Sequence, residues 1–83
     1  MSEFEIISHT LAPFVVPDPE KRVTIIADTK RMSALAYILI DYNHYQVRNI
    51  LDGQTLIIEN CLGWTEAGKT IPAGTPIQVA PPS

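Results

Sequence analysis

The chain has 83 residues, 46% of them hydrophobic and 18% charged, with a formal net charge of −3. That length holds one domain at most, and the acidic balance argues against a general nucleic-acid binder, which would normally be basic. Cys61 is the only cysteine, which excludes a disulfide within the chain, and with two histidines beside it no metal site and no cofactor are expected.

Taken in order, the chain starts Met1-Ser-Glu-Phe-Glu5, acidic and without the basic and apolar regions of a signal peptide. No apolar run approaches the ~20 residues of a membrane span. A cytoplasmic product is therefore expected. Phe4 to Leu11 alternates as a strand, with Phe4 and Ile6 on one face and His9 turned to solvent. Pro13, Pro17 and Pro19 then bar a helix or a central strand, because proline lacks the backbone donor. The stretch 13–20 reads as an extended arm, with Phe14, Val15 and Val16 pinned against something, and its composition would suit an arm laid on a neighbouring subunit.

Arg22 to Ala27 is rich in β-branched residues and reads as a second strand. Met32 to Ile40 is open to two readings. As a helix, Met32, Leu35, Ala36 and Leu39 share a face, and Asp28 or Thr29 caps the start. As a strand from about Leu35, both faces are apolar, which implies burial on both sides; periodicity alone does not decide so short a run. The strand is preferred because Asp41 to His44 resembles a turn and Tyr45 to Ile50 alternates after it. Asp52-Gly53, between Tyr45–Ile50 and Gln54–Glu59, is the clearest hairpin signal, with the glycine expected at positive φ. Asn60 to Thr70 reads as a loop carrying Trp64, Thr70 to Pro76 as a tight turn, Ile77 to Ala80 as a last short strand, and 81–83 as a tail.

No catalytic signature is present. The four glycines are scattered, so no phosphate loop forms, and no nucleophile elbow or paired-cysteine motif occurs. Asp41, His44 and Glu59 would have to converge in a cleft to act as acid and base; the plainer reading is a turn residue, a solvated histidine and a strand end. Cys61 would need a neighbouring base or cation to be a nucleophile, and otherwise is a small apolar residue. Arg22, Lys30 and Arg31, with Tyr37, Tyr42 and Tyr45, are the residues from which a stacking platform for single strands would be built. Trp64 needs a cover, either the domain's own core or a subunit contact.

The second half, Ser33 to Ala80, resembles the small β-rich head-decoration (cement) proteins of tailed phages. The residues that carry the resemblance are the run Ala34-Leu-Ala-Tyr-Ile-Leu-Ile40, the polar hairpin, and the closing Ile71-Pro-Ala-Gly-Thr-Pro-Ile-Gln-Val79. The resemblance implies a homo-oligomer, a trimer in that family, which sits on the capsid, clamps neighbouring subunits and uses an extended N-terminal arm. A weaker similarity is to LysM modules, which would require a helix after Val23–Ala27 and a second one within Tyr45–Glu59.

The expectation is thus one all-β domain over residues 1–83, a sandwich or partly open barrel of five to seven short strands with an extended N-terminal arm. The alternative is an α+β fold with a helix over 32–42. The function expected is structural and non-enzymatic: a virion decoration subunit, found in the virion or in host cytoplasm before assembly. Its partners would be its own copies and a larger scaffold such as a capsid, not a membrane. The interface would be built from Phe14, Val15, Val16 and Trp64. A small LysM-like or phage-tail binding module is the alternative, ahead of a single-stranded nucleic-acid binder.

Overall fold

A computed structural model describes residues 4–61 and 66–79. Among them there is no helix, and the fold is all-β. The strands are β1 (Glu5–His9), β2 (Phe14–Val15), β3 (Arg22–Ile26), β4 (Tyr37–Ile40), β5 (Asn43–Asp52), β6 (Thr55–Asn60), β7 (Thr70–Ile71) and β8 (Pro76–Val79). Six form one antiparallel sheet in the order β1-β8-β4-β5-β6-β3, and β2 pairs with β7 apart from it.

The sheet curls until its two edges meet. Thr10 bridges Ala27, and the Leu11 N–H donates to the Ile26 carbonyl at 2.8 Å. The result is a partly open barrel. Extra residues at Ile7 in β1 and at Arg48 and Leu51 in β5 interrupt the register. Such bulges bend a strand and sharpen its twist, which is what closing so small a sheet requires.

Inside the barrel lie Ile25, Ile38, Ile40, Tyr45, Val47, Leu56, Ile58 and Ile77, all buried. Each alternates with an outward residue, so period-2 patterning sets which face closes inward. The β2–β7 pair adds Phe14, Val16 and Ile71 to the same core, and the Phe14 ring meets Tyr45 edge-on at 6.2 Å between centroids. At roughly 1.5–3 kcal/mol for each large apolar side chain buried, this one core accounts for the main stabilising term.

Several expectations are corrected here. The helix over 32–42, and with it the helix a LysM module needs, is replaced by turns at Arg31 and Ala34–Leu35 and by strand β4. That strand is buried on one face only: Ile38 and Ile40 point inward, Leu39 is half-covered and Tyr37 is exposed. Its turn is shorter than expected, just Asp41-Tyr42, both at positive φ (51° and 69°) between the paired Ile40 and Asn43. This is the requirement of a type I′ hairpin. The hairpin at Asp52-Gly53 does form, but Gly53 is not at positive φ. There the Asp52 carboxylate accepts from the Gln54 N–H at 2.8 Å and shapes the turn itself. The segment 13–20 is extended, yet it is tied to its own chain: Val16 N–H donates to the Lys69 carbonyl and Asn60 Nδ2 to the Pro17 carbonyl.

Candidate functional site

Side chains on the outside of β8, β4 and β5 fall into rows set by the ladder register. Ile6 opposes Gln78, Gln78 opposes Leu39, and Leu39 opposes His44. A second row runs Tyr37, Gln46, Glu59, Arg22. The first row is almost wholly uncharged. Phe4 joins it from the start of the chain and Tyr42 from the I′ turn. Two shallow grooves share Phe4 and Leu39: one runs on past Gln78, Pro76 and Tyr42, the other past Tyr37 and His44. Tyr42 is 87% exposed, Tyr37 66%, and Phe4 and Ile6 48% each. This contiguous apolar exposure sets the face apart from apolar residues that are scattered singly. The other exposed apolar side chains, Leu11, Val15, Leu35 and Leu51, lie on other segments.

The margin of the face is polar and internally neutralised. Lys69 Nζ lies 2.8 Å from an Asp41 oxygen and 3.3 Å from Glu66, and these carboxylates push the Lys69 pKa up. In the second row Glu59 receives Arg22 at 3.1 Å and approaches Arg48 at 3.8 Å. Arg31 pairs with Glu5 near the opposite end of the barrel.

The expected interface residues separate. Phe14 and Val16 are buried in the chain's own core, so their surface is already covered; Val15 between them is exposed. Trp64 lies outside the described residues. The candidate acid–base set does not converge: Asp41 belongs to Lys69, Glu59 to Arg22 and Arg48, and no hydrogen bond or ion pair joins His44 to either. Cys61 is half-buried, and burial together with the Glu59 charge pushes its thiol pKa up, against a thiolate. Nor does a stacking platform assemble. Tyr45 is fully buried, and Arg22 and Arg31 occupy different parts of the surface, each on a carboxylate. Among the described residues no group of three or more His, Cys, Asp or Glu is placed to hold a metal ion. No helix among them is long and apolar enough to cross a membrane.

Sequence reasoning did not group Phe4, Tyr37, Leu39 and Tyr42 on one face. Their signal was present: β4 is apolar on both faces, which implies a cover on each. The barrel interior supplies one cover, and the described residues cover the other face only in part: Leu39 is half-covered and Tyr37 exposed. In comparisons with protein families, curated proteins and solved structures, the chain matches none.

Proposed function

We propose that the protein is a non-enzymatic assembly subunit, most specifically a virion decoration protein that associates with its own copies and clamps neighbouring capsid subunits. The observation that carries this reading is the uncharged outer face of β8 and β4, with Phe4, Ile6, Tyr37, Leu39 and Tyr42 left partly open to solvent. A face of that kind gains free energy by being covered at about 25 cal/mol per Å² of apolar surface. Many copies on one shell add avidity to a modest single contact. Phe14 and Val16 are taken up by the core, so the reading places the main contact on this face rather than on the arm, where only Val15 stays exposed.

The resemblance of Ser33–Ala80 to phage head-decoration proteins supports the choice of a capsid as the scaffold. The test is cosedimentation of the purified chain with shells assembled from the capsid protein encoded in the same genome. Saturable binding at a fixed stoichiometry is expected. Shells that pellet without the chain would overturn the decoration reading.

A further inference from the structure

We infer that the outer face of β8 and β4 docks on the same face of a second copy, across a two-fold axis that passes beside Gln78. This rests on the assembly reading and names its partner and geometry. The first argument is area. With aromatic side chains at about 200 Å² each, Tyr42, Tyr37 and Phe4 at their observed exposures leave roughly 400 Å² uncovered. Ile6, Leu39 and Pro76 bring the face to roughly 600 Å², the per-partner area at which specific interfaces begin.

The second argument is charge. Chains of net charge −3 repel one another, so a self-contact must avoid setting like charges together. An isologous contact lays a patch on its own image, which favours a neutral patch and penalises a charged one. Neither groove on this face contains a lysine or arginine, and the only carboxylate, Asp41 at the margin, is held by Lys69.

The third argument is Gln78. It lies mid-row between Ile6 and Leu39, and its side chain makes no hydrogen bond with the described residues. An amide carries both donors and an acceptor. Two Gln78 side chains across a two-fold axis therefore satisfy each other, and a group that only accepts would not. This pairing departs from the trimer that the phage resemblance implies, because reciprocal amide pairing needs two-fold symmetry.

The test uses the full chain with Cys61→Ser as background. Gln78→Cys should give a disulfide-linked dimer on mild oxidation, because two sulfurs beside the axis come within bonding reach. Thr24→Cys, on the exposed side of β3, should not. Leu39→Glu should weaken self-association in sedimentation velocity by roughly a hundredfold, as like charges meet in a desolvated contact. Association that survives Leu39→Glu, or equal cross-linking from positions 24 and 78, overturns the inference and leaves the assembly reading standing. A monomer that still binds capsid shells overturns the inference and the self-association half of the assembly reading, and leaves the capsid contact standing. A monomer that binds no shell overturns both.

Discussion

Thr10 directly follows β1 with its side chain fully buried, and its hydroxyl donates to the Pro72 carbonyl at 2.9 Å and accepts from the Thr75 N–H at 3.0 Å. Its backbone is bonded as well, to Thr75 and Gly74. Thr10 thus ties the closing edge of the barrel to the turn before β8. Thr10→Val keeps the shape but takes the acceptor from the Thr75 N–H, while the Pro72 carbonyl keeps the Thr75 hydroxyl, so chemical denaturation should show a loss of about 1 kcal/mol. Thr10→Ser keeps the hydroxyl and should lose less; equal losses would mean the bonds are not what matters. At Tyr45, burial pushes the phenol pKa up; the Asn43 side chain opposes this and the Asp41 charge adds to it. The Cys61 thiol is raised as well. Both acids bind their protons more tightly folded than unfolded. Stability is therefore whole at neutral pH and falls above about pH 9, where the unfolded chain's thiol and phenol begin to ionise. Denaturation midpoints at pH 7 and pH 10 should show the fall, and Tyr45→Phe should reduce it. No difference between the two pH values would contradict it. At this scale the sequence was half legible. Phe14 and Val16 share a side by simple alternation, but the flanking prolines mask that alternation, so the sequence alone suits an arm on a neighbouring subunit as well as a floor for the chain's own core.

The two hairpins reverse the expectation attached to each. Asp52-Gly53 looked like the turn that exploits glycine at positive φ, yet the positive φ values occur at Asp41 and Tyr42. An aromatic residue in the left-handed region costs roughly 1–2 kcal/mol. Tyr42→Gly should therefore stabilise the monomer by about 1 kcal/mol in denaturation while weakening self-association, since it also removes the most exposed aromatic of the face. A variant that is both less stable and equally associated would contradict the assignment. Tyr37-Ile-Leu-Ile40 is apolar on both sides, and that pattern implies burial on both. Composition states that both faces want cover; it cannot state that the cover belongs to the same molecule. The loop from Met32 to Ala36 was ambiguous for a related reason, because helical spacing and strand alternation coincide over so few residues.

At the scale of the molecule, the all-β class was legible from β-branched runs and turn residues, and the closed order β1-β8-β4-β5-β6-β3 was not. Order depends on which distant strands share a ladder, and β1 pairs with β8 across nearly the whole chain. The bulges at Ile7, Arg48 and Leu51 that permit closure carry no local signature of glycine. Closure has a consequence for function. It consumes the interior faces and leaves the outside of β8 and β4 as the broad uncharged surface. The central claim is that this surface is covered by a second copy of the chain in the working state. Sedimentation velocity of the unmodified chain over a concentration series up to about 1 mM, the range in which weak specific contacts saturate, tests it most directly. The account predicts a sedimentation coefficient that rises with concentration toward that of a dimer; one that stays at the monomer value throughout would contradict it.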